Sequence, residues 1–187
     1  MNALDEAEKG GACRAQHDPP RLIEQLRYAI SRYDHYYDTV NNKGAFFVAL
    51  NTALVGGLLL LQFEYAGKAF TMSPGIECLL MACLILCLFS MATTLLAILP
   101  YTRQGSQSNL FFGGVSTRSL EKFRDDIKKE TEVEAEEDLI VQAHALSVGL
   151  RRKFMLLKAA SFGLAGSFLA AILLTWLIMH NLNPPTP

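Results

Sequence analysis

Residues 44–63 read GAFFVALNTALVGGLLLLQF, a stretch without a single charged side chain. A helix rises 1.5 Å per residue, so about 20 such residues cross the hydrocarbon core of a bilayer. A soluble core helix of that length shows a polar face, and this one has none. Two more stretches repeat the pattern. Residues 76–99 (IECLLMACLILCLFSMATTLLAIL) carry only Glu77 as a charge, at their edge, and residues 159–179 (AASFGLAGSFLAAILLTWLIM) carry none. These stretches predict an all-α integral membrane protein with three transmembrane helices.

The basic residues orient the spans. Residues 1–43 hold Lys9, Arg14, Arg21, Arg27, Arg32 and Lys43, and residues 101–158 hold ten more Lys or Arg, whereas the connector 64–75 has only Lys68 and the tail 180–187 has none. The positive-inside rule puts the N-terminal segment and 100–158 in the cytoplasm, and the connector and tail outside. Three spans that start inside must end outside, so the assignment is self-consistent. The first twenty residues are polar, with no apolar h-region, so no cleaved signal peptide is expected and span one serves as its own insertion signal.

The cytoplasmic parts read as helices that run into the spans. After a disordered tail (1–19), Leu22, Leu26, Ala29, Tyr33, Tyr36 and Val40 recur at near-heptad steps through 20–43, with Asp18 as a cap and Pro19 and Pro20 in the first turn. Ile140, Ala143, Leu146 or Ser147, Leu150, Phe154 and Leu157 form a second stripe leading into span three. Leu120, Phe123 and Ile127 mark a shorter helix, and Phe112-Gly113-Gly114 reads as a turn before it. Long cytoplasmic helices therefore extend spans one and three. Stripes at this spacing are first of all packing surfaces. Acidic residues from Glu130 to Asp138 suit the positive end of a helix, and Arg151, Arg152, Lys153 and Lys158 read as a collar that snorkels to headgroups.

Several functions are excluded at this level. A net charge of −1 gives no bulk attraction for nucleic acid. Cys13, Cys78, Cys83 and Cys87 make no disulfide framework, with the last three in span two as packing residues, and the four His have no metal spacing. No nucleophile elbow, phosphate loop or metalloprotease motif occurs, so an enzyme is not expected and neither is a bound cofactor or metal. Within the membrane, Ala49, Ala53 and Gly57 on span one, and Ala159, Gly163, Ser167 and Ala171 on span three, are spaced for close helix contact, including contact between subunits of a homo-oligomer. Asn51 is the most polar residue of span one. It reads either as an interhelical hydrogen-bonding group or as an amide facing a pore.

Asp38 to Phe46 (DTVNNKGAF), with Lys43 entering span one and Asn51 following, resembles the D-x-K-A entry of the Pycsar transmembrane effectors. So do Asn109-Leu110-Phe111-Phe112-Gly113 after span two, and Gln142, Ala145-Leu146-Ser147 and Lys153-Phe154 before span three. The order of these motifs around the spans covers roughly residues 22–178. Two spots depart from the pattern: Gly44 splits the usual Lys-Ala, and the FFG continues as Gly-Gly.

The resemblance implies antiphage defence at the bacterial inner membrane. A partner pyrimidine cyclase makes a cyclic pyrimidine mononucleotide (cUMP or cCMP), the effector responds, and membrane integrity is lost in an abortive infection. Such a ligand brings one phosphate charge and a flat base, which call for cations with aromatics or amides. The cytoplasmic helices offer Arg27, Arg32, Tyr33 and Tyr36, and Arg118, Lys122 and Arg124. A membrane-anchored scaffold without pore activity and a ligand-independent holin-like toxin remain as alternatives.

Overall fold

The computed structural model describes residues 19–67, 73–100 and 108–182. Among these residues there are five helices and no strand: α1 (Pro19–Gly67), α2 (Pro74–Ile98), α3 (Phe112–Val115), α4 (Leu120–Lys129) and α5 (Glu132–Leu182). Asp18 and the expected disordered tail before Pro19 lie outside the described residues.

The helix boundaries follow local chemistry. The chain enters α1 on Pro19 and Pro20, whose missing N–H groups cost nothing in a first turn. α1 then runs 49 residues, through Gly44, Gly56 and Gly57, because an apolar environment leaves the backbone no partner but its own helix. It passes Phe63 and ends at Gly67, so helix occupies part of the expected connector. α2 starts on Ser73 with Pro74 at its first position, and it stops because Pro100 forces Leu99 into an extended conformation. α5 opens on a reciprocal capping box: Glu134 Oε2 accepts from the Thr131 N–H (2.8 Å), and Thr131 Oγ1 accepts from the Glu134 N–H (3.3 Å). The Thr131 N–H and then the Thr131 hydroxyl, both donating to Glu134 Oε2, hold that carboxyl below the usual carboxylate range. α5 continues for 51 residues. Phe112-Gly113-Gly114 is not a plain turn but belongs to the one-turn helix α3. It is closed by Gly114 and Val115 N–H groups on the Phe111 carbonyl, with the Phe111 ring folded so close that a Cβ on Gly113 would meet it at 2.5 Å.

The described residues fall into two compact units. One is drawn from Arg32–Arg103 and Ala145–Pro187, the other from Met1–Ser31 and Gln104–His144. The first contains all three apolar stretches, and α1, α2 and α5 are each long and apolar enough to cross a membrane.

Packing in the spanning unit is layered. Val40, Leu150 and Leu157 form one cluster, with Tyr33, Tyr36, Tyr37 and Phe47 against it. Leu58, Ile76, Leu80, Cys83, Cys87, Leu174 and Ile178 form another nearer the opposite end of the spans. Lipid tails are as apolar as leucine, so close fit and interhelical hydrogen bonds hold such clusters rather than transfer from water. Cys83 and Cys87 are buried as expected, whereas Cys78 faces outward.

Two expectations about α5 need correction. Ile140 and Phe154, placed on the packing stripe, are exposed, and Leu139 and Lys153 take the buried positions beside Ala143, Leu150 and Leu157. Lys153 is therefore not part of the outward collar, although Arg151, Arg152 and Lys158 are exposed.

Candidate functional site

The unit containing α3 and α4 is organised around Asn109. Its backbone N–H donates to Asp138 Oδ2 (2.9 Å), its Nδ2 donates to Glu130 Oε1 (2.9 Å), and its Oδ1 accepts from Arg118 Nη1 (2.6 Å). Arg118 also meets Asp126 Oδ2 at 3.2 Å and the Ser108 carbonyl at 3.4 Å, with its side chain only 10% exposed. Ser108 Oγ accepts the Leu110 and Phe111 N–H groups, which fixes the approach to α3. Ser119 caps α4 by accepting the Lys122 N–H.

Beside this network lies an open groove of about 1140 Å³. Lys122 and Lys129, one α4 face, border it together with Gln142 and Glu137 of α5 and the Asn109–Arg118 pair. Five carboxylates (Asp126, Glu130, Glu134, Glu137, Asp138) and three cations (Arg118, Lys122, Lys129) line it. Four of the acids already accept hydrogen bonds, from Arg118, from Asn109 twice, and from Thr131. Arg118 is likewise committed to the fold.

The residues expected to hold a nucleotide are thus divided. Arg118 and Lys122 share the groove with the motif residues Asn109 and Gln142. Arg27 on α1 and Arg124 on α4 are exposed and do not line it. Arg32 is exposed and donates to Tyr36 Oη (2.8 Å), while Tyr33 and Tyr36 pack on the Val40 cluster of the spanning unit. Ser108 and Lys129 carry no signal in the sequence, and Glu130 and Asp138 read there only as part of the acidic start of a helix, not as partners of Asn109. The pairings that link the loop to α4 and α5 are not readable there.

The other motif residues map to the spanning unit, apart from Phe112, which is exposed on α3 beside Gly113. Asp38 and Lys43 are exposed on α1. Asp38 lies one turn from Asp34, whose carboxyl is pushed above its ordinary range by partial burial and then by the Asp38 charge. Gly44 approaches the last turn of α2 so closely that a Cβ would lie 2.8 Å from Ile98. Asn51 is fully buried. Its Nδ2 donates to the Phe47 carbonyl (2.9 Å) and to Ser90 Oγ (3.0 Å), and Ser90 Oγ donates to the Ala160 carbonyl (2.9 Å). One polar relay therefore crosses all three spans, and Asn51 serves as the interhelical group. Lys153 Nζ donates to the Ala97 and Ile98 carbonyls (2.7 and 3.1 Å) and sits 5.4 Å from the Tyr37 ring centroid.

The two small-residue ladders differ. Gly163 and Ser167 are buried and Ala171 half-buried within the chain. Gly163 faces Phe89 and Ser90 of α2, where a Cβ would lie 3.1 Å from each. Ala49, Ala53 and Gly57 point outward, and among the described residues nothing lies within 4 Å of a Cβ on Gly57. Among the described residues no group of three or more His, Cys, Asp or Glu is placed to hold a metal ion.

Comparison with known proteins gives one family. No curated protein and no solved structure matches the chain. The model of the Pycsar effector protein domain, PycTM, matches residues 25–180, which takes in all three spans, the Asn109 network and the groove. Because the match covers most of the chain, this protein belongs to the Pycsar effector family.

Proposed function

We propose that this chain is the membrane-impairing effector of a Pycsar antiphage system, activated by a cyclic pyrimidine mononucleotide made by a partner cyclase. The observation that carries the reading is the family match over 25–180, which joins a helical unit bearing a polar groove to three spanning helices. The effector acts by changing the bilayer rather than by catalysis. Its setting is the bacterial inner membrane, with the N-terminus and the groove on the cytoplasmic side and the C-terminus outside, as the basic-residue asymmetry favours. Loss of the membrane barrier then ends the infection by killing the cell.

The groove is the proposed entry point for the signal. Its lining charge is acidic overall, so no general positive field draws a phosphate in. A phosphate has to be met directly, and Lys122 and Lys129 are the cations there that are not committed to the Arg118–Asn109 network. Gln142 offers an amide to the edge of a base. The centre of a single chain is filled by the Asn51–Ser90 relay and the apolar clusters. A leak therefore needs either several copies or a rearrangement of the helices, and we place a homo-oligomer in the active form.

The test is dye release from liposomes carrying the full chain, with cUMP, cCMP, cAMP or cGMP added. Release on a pyrimidine nucleotide alone is the expected result. Release that ignores nucleotide would mark a ligand-independent toxin, and absence of release with all four would point to a scaffold. Lys122→Ala with Lys129→Ala should weaken nucleotide binding at least tenfold by calorimetry. Unchanged binding removes the groove from the proposal.

A further inference from the structure

Lys153 is 5% exposed, and its ammonium touches two backbone carbonyls and one aromatic ring. Among the described residues no carboxylate pairs with it. A buried cation is costly unless its hydrogen bonds and charge are met locally. Here both come from the end of α2. Ala97 and Ile98 are in its last turn, where carbonyls have no helical partner and the helix dipole is negative. Tyr37 adds its π face, and the Tyr37 hydroxyl donates to the Leu146 carbonyl of α5 (3.1 Å). Gly44 lets α1 close on Ile98 from another side. One ammonium thus ties together the same end of all three spanning helices.

A lysine stem is long enough to offer a second arrangement. It can swing outward and hold its charge in water or among headgroups, as the exposed neighbours Arg151, Arg152 and Lys158 do. In that arrangement the Ala97 and Ile98 carbonyls lose their donor and require water. Neither state is intermediate: the cation is on the carbonyls or it is not.

We propose that Lys153 is a latch that holds the last turn of α2 against α1 and α5 and seals that end of the bundle, and that its withdrawal accompanies the leaky state. The link to leakage rests on the membrane-impairing function proposed above; the latch itself does not. Every contact of the latch belongs to the spanning unit, so its geometry is complete within one chain.

The test uses the full chain in nanodiscs and liposomes without nucleotide. Lys153→Met keeps most of the stem volume and removes the charge. Tyr37→Leu removes the ring and hydroxyl and leaves the lysine in place. Hydrogen exchange at amides 95–99 should rise about tenfold in the first variant and about threefold in the second, with amides 80–87 at wild-type protection. Dye release without nucleotide should approach the level of the activated wild type in Lys153→Met. Unchanged exchange at 95–99 in both variants overturns the latch. A uniform rise along α2 also overturns it, since that is general destabilisation. A local rise with dye release at the basal level, where wild type responds to nucleotide, overturns the coupling to leakage. If wild type does not respond to nucleotide, the function proposed above fails, and the exchange data still decide the latch.

Discussion

Replacing Gly163 measures how tightly α5 rests on α2. A methyl group there would lie 3.1 Å from Phe89 Cδ1, 3.1 Å from Ser90 Cβ and 3.4 Å from Ser90 Cα. The exposed Phe89 ring can rotate away. Ser90 cannot, because the crowded atoms are its own Cα and Cβ. The helices must separate by a few tenths of an ångström, and overpacking of this kind costs about 1–3 kcal/mol. Part of that is offset in Gly163→Ala, since alanine favours a helix over glycine by about 1 kcal/mol. The alanine variant should therefore be destabilised by about 1 kcal/mol.

Gly163→Leu is a different case. Its longer side chain has to push α2 away far enough to break the Ser90–Ala160 bond and to displace Ser90 against Asn51 of α1. Interhelical hydrogen bonds in membranes contribute about 0.6 kcal/mol on average and up to about 1.7. Together with overpacking the expected loss is about 3–5 kcal/mol. Reversible unfolding in mixed SDS micelles, followed by circular dichroism, reads it. The same substitution in a Ser90→Gly background should cost at least 1 kcal/mol less, because the crowded Cβ is gone. A leucine variant within about 0.5 kcal/mol of wild type, or the same cost in both backgrounds, would refute the contact. Gly163 faces α2 of its own chain, so this variant reports on packing within one chain.

Three further outcomes are expected. Asn51→Leu keeps the Ser90–Ala160 bond and should cost about 1 kcal/mol in the same assay, moderated because Asn51 Oδ1 has no partner to lose among the described residues; a loss above 3 kcal/mol would mean the amide does more than join two helices. The Glu134 carboxyl is held below its ordinary value, so the capping box stabilises α5 above the usual carboxylate range and fails as pH falls through the lowered value. Exchange at amides 132–135, corrected for intrinsic rate, should then rise at low pH in wild type, while Thr131→Val should show the raised exchange already at pH 7. Topology is checked with reporters: one fused after Pro187 should read as periplasmic and one inserted near Gln107 as cytoplasmic, and the reverse would overturn the orientation.

The parts of this protein legible in the sequence are those in which one residue type repeats along one helix. The spans show as long apolar runs, and Tyr33, Tyr36, Val40, Leu150 and Leu157 pack together as their periodicity predicts. Spacing alone did not reveal which partner a face meets. Two ladders of small residues look alike in the sequence, yet Gly163 is pressed against Ser90 while Gly57 faces outward. Likewise Arg118 reads as a candidate phosphate ligand because it is cationic, and its pairing with Asn109 and Asp126 is not visible in spacing.

Lys153 shows the physical limit most clearly. Counting apolar residues passes over a lysine and assigns the neighbouring Phe154 to the core, yet Phe154 is 41% exposed and Lys153 is buried. Hydrophobicity predicts burial because most buried positions offer no hydrogen-bond partner. The end of a helix is an exception, since it presents carbonyls that need a donor and a negative pole that needs a cation. Pro100 sets where α2 ends, so the need for a donor near Ala97 and Ile98 was written in the sequence. That Lys153, 55 residues after Ile98, supplies it depends on α5 packing alongside α2. The same dependence makes Lys153 a sensitive point: any movement that separates these helices removes the only two hydrogen-bond acceptors its ammonium has among the described residues.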